Sequence, residues 1–179
     1  MPDGACIVSD TLTYNMNYPQ GKSLEKVIEM ISRDETGEYF HYSTFLEADK
    51  YFKNEALRYM SNFTSNYLNA IDYNHIKNKR QSNIQILKEE LEKYNEIEIK
   101  SDNLTYMYPL KTEKGEELRK YLLKNNIYSQ LLWPNVMWNG ANESEQKLAC
   151  SMVLLPIDQR YSEKEMIYIS NNIKKYLKK

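Results

Sequence analysis

Cysteine and histidine, the side chains behind most metal and nucleophile chemistry, are nearly missing from this sequence. Its 179 residues include two cysteines, Cys6 and Cys150, and two histidines, His41 and His75. Neither cysteine belongs to a C-x-x-C pair and neither histidine has a second ligand at zinc spacing, so metal and redox motifs have no support. Both cysteines sit in apolar surroundings, where a free thiol is ordinarily a small hydrophobe. His75, near a helix start, reads as a solvated or capping residue, because acid–base catalysis demands a positioned partner. No G-x-S-x-G, P-loop or G-x-G-x-x-G string occurs. Charge of one sign is not in excess either: 24 basic and 25 acidic residues nearly cancel. No basic stripe appears, so a nucleic-acid partner is not expected. The apolar runs are too short to span a bilayer, and no basic segment leads into an apolar core at the N-terminus. The chain is therefore read as cytoplasmic, with no membrane partner. The N-x-[ST] matches at Asn62, Asn103 and Asn142 are then chance.

What is present is an ordinary apolar fraction, 41%, which fits a folded chain rather than a disordered one. Pro2-Asp3-Gly4 is a turn signal, and Ala5–Val8 is a short apolar run that reads as a buried strand over 5–9. Ser23 is placed to cap a helix with Leu24, Val27, Ile28 and Ile31 on one face. Thr44 and Glu47 form a capping-box pattern for a second helix bearing Phe45, Ala48, Phe52 and Ala56. The strongest periodicity runs from Tyr73 to Tyr94, where Ile76, Ile84, Leu87, Leu91 and Tyr94 share a stripe.

Beyond Asn95 the period changes. Residues 96–100 alternate as a half-exposed strand would, and 104–109 read as a strand stopped by Pro109. Thr112 is expected to cap a helix over 113–125, 127–133 to be a strand, 143–150 a short helix and 152–156 a buried strand. Ser162 and Glu165 make a capping box for a final helix with Met166, Ile169 and Ile173 inward. The fold class expected is α+β: a small antiparallel or mixed sheet covered by helices, with a helical N-terminal extension. The division expected is a remnant strand and helical extension over 1–60 and a small domain over 61–179.

Chemistry-bearing candidates are few. In "LLPIDQRYSEKEM" an apolar strand meets a proline, then Asp158-Gln159-Arg160-Tyr161, then a capped helix. Asp158 and Arg160 are spaced to brace the turn; alternatively Arg160 faces an anionic ligand, since its fork matches carboxylates and phosphates. Trp133, before Pro134, is either core or the wall of a cleft.

The ordered strings "NKRQSNIQILKEEL", "YMYPL", "LRKYLLKNNIYSQLLWP" and "LLPIDQRYSEKEMIYI" resemble the C-terminal half of the DegT/DnrJ/EryC1/StrS aminotransferases. Arg80-x-x-Asn83 on the long helix is typical of that family, and Leu155-Pro156-Ile157-Asp158-Gln159-Arg160-Tyr161 resembles a subgroup of it. The resemblance implies a small domain of a fold-type I, pyridoxal-phosphate-dependent enzyme, many of which aminate nucleotide-linked sugars. It also implies that "PDGACIVSD" follows the cofactor-binding lysine, which would belong to a preceding large domain. The expectations are no catalytic residue and no cofactor-binding residue in this chain alone, with pyridoxal phosphate required by the intact enzyme. Trp133 and Arg160 are the substrate-facing candidates. Partners would be a missing large domain or a second copy of the chain, since the apolar faces at 23–33 and 44–58 would otherwise lack cover. The competing expectation is a stand-alone module binding an anionic ligand or a protein partner.

Overall fold

The computed structural model describes residues 6, 8–11, 17–24, 27–28, 31, 35, 56–99, 106–131, 134–138 and 140–178. Contacts divide the chain into Met1–Ile71 and Asp72–Lys179. His41, Trp133 and residues 44–55 of the expected helix at 44–58 lie outside the described residues, and residues 56–58 are not helical.

In the first unit the chain beside Gln20 runs parallel to that at Tyr59, joined by Gly21 N–H to the Tyr59 carbonyl at 2.9 Å and Tyr59 N–H to the Pro19 carbonyl at 3.0 Å. Helix α1 (Asn62–Asn69) starts where Ser61 Oγ accepts the Thr64 N–H at 3.1 Å, satisfying an otherwise orphaned donor. Ser61 Oγ also donates to Ser23 Oγ at 2.9 Å, and Ser23, Ser61 and Thr64 are all buried. Leu24, Val27, Ile28 and Ile31 are helical, in line with the apolar spacing, and Val27 N–H bonds the Ser23 carbonyl. Leu24, Ile28 and Ile31 are each more than half exposed. The strand expected over 5–9 is not found at its described residues: Cys6, Val8 and Ser9 have no strand conformation and are exposed. An apolar run alone makes no strand without a neighbouring edge to bond.

The second unit is built on α2 (Tyr73–Leu91), opened by Asp72, whose carboxylate accepts the His75 N–H at 2.9 Å. Leu87 and Leu91 are fully buried and Ile84 and Tyr94 pack beside them, so the stripe read from the sequence is the core face. A 3-10 turn, Glu92–Tyr94, ends the helix. Strands β1 (Tyr108–Lys111) and β2 (Met152–Leu155) pair antiparallel, Tyr108 opposite Leu155 and Lys111 opposite Met152. Alternation puts Tyr108, Leu110, Val153 and Leu155 on one face, none more than 1% exposed. Helices α3 (Gly115–Lys124) and α5 (Glu163–Leu177) bring Leu118, Leu122, Met166, Ile169 and Ile173 into the same core. The α5 start is the Ser162–Glu165 capping box. Helix α4 (Glu143–Ser151) has its own box from Asn142 and Glu145 and runs directly into β2. The result is α+β, with helices α1 to α5 and a two-stranded antiparallel sheet besides the helical residues between 24 and 35.

Several expected strands differ. Residues 96–99 form no strand, because the β1 edge is already served by a side chain: Asn95 Nδ2 donates to the Pro109 carbonyl at 2.9 Å and Asn95 Oδ1 accepts the Lys111 N–H at 2.9 Å. One backbone bond follows, Glu96 N–H to the Lys111 carbonyl. Pro109 does not stop β1 but lies inside it. Its carbonyl bonds Asn95 rather than β2, so the N–H it lacks falls on the side turned away from the ladder, where proline costs nothing. Among its described residues, 127–131, the 127–133 run gives a single bridge, Gln130 to Leu154, with Ser129 Oγ donating to the Leu154 carbonyl at 3.0 Å. Thr112 is not the cap of α3: it lies upstream, its Oγ1 accepting the Lys114 N–H, and the helix begins at Gly115.

Candidate functional site

The turn between β2 and α5 brings Asp158, Gln159, Arg160 and Tyr161 beside Arg80 and Asn83 of α2. Pro156 and Ile157 carry the chain out of the sheet, and Asp158 begins the reversal by accepting the Arg160 N–H on Oδ1 at 3.1 Å. Arg160 folds back over it. Its Nε donates to Asp158 Oδ1 at 2.8 Å and its second terminal nitrogen to Oδ2 at 3.1 Å, a two-bond fork on one carboxylate. The Asp158 side chain is 18% exposed and that of Arg160 68%. Arg160 therefore braces the turn and at the same time shows its guanidinium to solvent, lying 5.9 Å from the Tyr161 ring centre.

Beneath the turn is Asn83, buried to 0% exposure on α2. Its Nδ2 donates to the carbonyls of Ile157 at 3.1 Å, Asp158 at 3.1 Å and Tyr161 at 3.2 Å. One side-chain amide thus holds both ends of the reversal against the long helix. Its Oδ1 is buried with no hydrogen-bond partner. One helical turn earlier, half-buried Arg80 donates from Nε to Gln159 Oε1 and from a terminal nitrogen to the Tyr106 carbonyl, both at 3.4 Å.

Electrostatics follow the geometry. Burial pushes the Asp158 carboxyl up, but hydrogen bonds from the Arg160 side chain and backbone, and the charges of Arg160 and Arg80, outweigh it and hold its pKa below the ordinary value. A carboxyl depressed on folding stabilises the fold above its unfolded pKa, and that contribution is lost as pH falls through the folded pKa. The second unit is accordingly expected to lose stability on acidification below the usual aspartate range, and Asp158→Asn to flatten that limb in melts taken across pH 2–5 (about the aspartate range).

Of the two residues proposed from sequence, Arg160 is at this turn and Trp133 is outside the described residues. Asn83 is the residue whose role the pattern did not reveal, although a signal exists: it precedes Leu87 and Leu91 at four-residue intervals, a polar residue in a buried stripe. Among the described residues no cluster of His, Cys, Asp and Glu could hold a metal ion, and no helix is long and apolar enough to cross a membrane.

Pyridoxal phosphate needs a lysine amine in a desolvated pocket. Every described lysine is exposed or half-buried: of the half-buried ones, Lys111 and Lys174 are paired with Glu96 and Glu90, and Lys79 and Lys88 lie on α2. The described residues do not fit that cofactor.

No protein-family model matches the chain, and no curated protein matches it. Among solved structures, a DegT DnrJ EryC1 StrS aminotransferase from Brucella abortus is similar, at 17% identity and a TM-score of 0.46. The match covers 56% of this chain and 31% of that one, so the chain spans about a third of the aminotransferase's length.

Proposed function

We propose that this chain supplies the small-domain part of a DegT/DnrJ/EryC1/StrS-like, pyridoxal-phosphate-dependent aminotransferase acting on nucleotide-linked or polysaccharide-precursor sugars. The lysine that holds the cofactor belongs, in this reading, to a large domain outside residues 1–179, and the chain alone does not catalyse. Residues 157–161, with Arg160 outermost, face the substrate side of the assembled cleft, and Trp133 joins them.

The reading rests on the two strings that carry the family resemblance, Arg80-x-x-Asn83 and Leu155–Tyr161. Far apart in sequence, they are one unit in space, joined by the Asn83 amide to the Ile157, Asp158 and Tyr161 carbonyls and by Arg80 to Gln159. A resemblance made of unrelated chance matches gives no reason for the matched residues to bond one another. The second support is chemical: transamination requires a seated amine that also moves protons, and none of the described lysines is buried.

The test is to incubate the chain with pyridoxal phosphate, reduce with borohydride and map the modified lysines by mass spectrometry. The expected outcome is sparse label spread over surface lysines and no transamination of an amino donor. A single lysine labelled stoichiometrically, with turnover, would contradict the proposal.

A further inference from the structure

We propose that Arg80 and Arg160 flank an oxyanion-binding site at the Ile157–Tyr161 turn, with Arg80 as its under-used cation. A half-buried guanidinium is normally balanced by a carboxylate or saturated by short bonds, because taking its charge from water is costly. Arg80 has neither. Its acceptors are a neutral amide and a backbone carbonyl, both at 3.4 Å, the outer limit of a hydrogen bond. Among the described residues it makes no ion pair with a carboxylate. A guanidinium carries five N–H donors in a rigid fork, and those of Arg80 not aimed at Gln159 or Tyr106 have no acceptor there.

The surroundings leave positive charge. The Arg80 charge acts on Asp158, whose carboxylate is already forked by Arg160 at 2.8 and 3.1 Å. One carboxylate therefore faces two guanidinium groups. Glu165 is committed to the α5 cap, accepting the Ser162 N–H at 2.6 Å, and Lys79 offsets its charge. The cluster of Lys79, Arg80, Asp158, Arg160 and Glu165 carries more positive than negative groups. Arg80 is held on a helix, and the turn is held by Asn83, so both are positioned before a ligand arrives. The ligand chemistry that fits is an oxyanion taking the free edge of Arg80 and the exposed face of Arg160, as a phosphate or a carboxylate group. This inference stands on the turn geometry and does not depend on the cofactor assignment.

The experiment uses the full chain, titrated with inorganic phosphate, pyrophosphate and acetate, with sodium chloride at matched ionic strength as the reference. Amide shifts of residues 157–161 and thermal melting are the readouts. Saturable shifts at the turn are expected with at least one oxyanion, phosphate without acetate identifying a phosphoryl ligand and the reverse a carboxylate. Arg80→Gln and Arg160→Gln should each weaken binding about tenfold, the loss of one charge-assisted contact. If Arg80→Gln does not fold, Arg80→Lys, which keeps the charge and loses the fork, should weaken binding while melting normally. Equal effects of chloride and the oxyanions, or unchanged affinity in both the Arg80 and the Arg160 variants, would overturn the proposal.

Discussion

Gly115→Ala is expected to destabilise the 72–179 unit by about 3 kcal/mol, the upper end of ordinary overpacking costs. Gly115 is the first residue of α3 and sits against the last turn of α4. A Cβ placed there would lie 2.5 Å from the Cys150 carbonyl oxygen and 2.6 Å from that of Ser151. Both obstacles are backbone, so no side-chain rotation relieves them. The same carbonyls are already in use. Arg119 reaches the Cys150 and Met152 carbonyls at 3.1 and 2.6 Å, and the Thr112 N–H reaches that of Ser151 at 3.0 Å. Pushing α3 away from α4 strains these bonds together. The gain of a methyl group in helix propensity, about 1 kcal/mol, is too small to compensate. Gly140→Ala is the informative comparison. Gly140 has φ +69° but nothing within 4 Å of its Cβ position, so its cost is only that of a left-handed residue, about 1 kcal/mol. Chemical denaturation of both variants should give the larger loss at Gly115, and the reverse order would show that α3 and α4 are not in contact as described.

Asn83→Asp should be more damaging still at neutral pH, by roughly 3 kcal/mol or more. The replacement has the same shape and loses the donors. An ionised carboxylate would face the carbonyls of Ile157, Asp158 and Tyr161, acceptor against acceptor, at a position with no exposure. Burial and those carbonyls would raise the pKa of the new acid above its unfolded value. The folded state then binds the extra proton, so stability is greatest at low pH and falls as pH rises through the raised pKa. The variant's melting temperature should therefore climb between pH 8 and pH 5 (about the neutral-to-mildly-acid range). The Asp158 contribution in the parent chain runs the other way, being lost on acidification. Two neighbouring groups with opposite pH limbs make the assignment specific.

The helices were the legible part of this fold, for a physical reason. Helical order is local, so Leu87 and Leu91 on α2, or Ser162 and Glu165 before α5, announce themselves in a window of a few residues. Strand pairing is not local. The runs at 96–100, 104–109 and 127–133 all carry strand-like residues, yet among their described residues only Tyr108–Pro109 belong to a strand, within Tyr108–Lys111. Whether a run pairs depends on what stands at the neighbouring edge, and at β1 that is the Asn95 side chain, which nothing in the pattern distinguishes from any loop asparagine. Pro109 misled for a related reason: a proline is fatal only where its missing donor faces a partner strand. At the site, the Asp158–Arg160 brace was readable from a two-residue spacing. The link from Arg80 and Asn83 to the same turn joins residues distant in the chain and exists only in the folded state.

The Asn83 clasp is the observation on which the functional reading rests, and its side-chain amide protons report on it directly. In a ¹⁵N-resolved spectrum of the full chain, these protons should exchange slowly with solvent and show Overhauser contacts to residues 157–161. Side-chain protons of Asn83 that exchange as fast as those of an exposed asparagine, with no contact to that turn, would contradict the account.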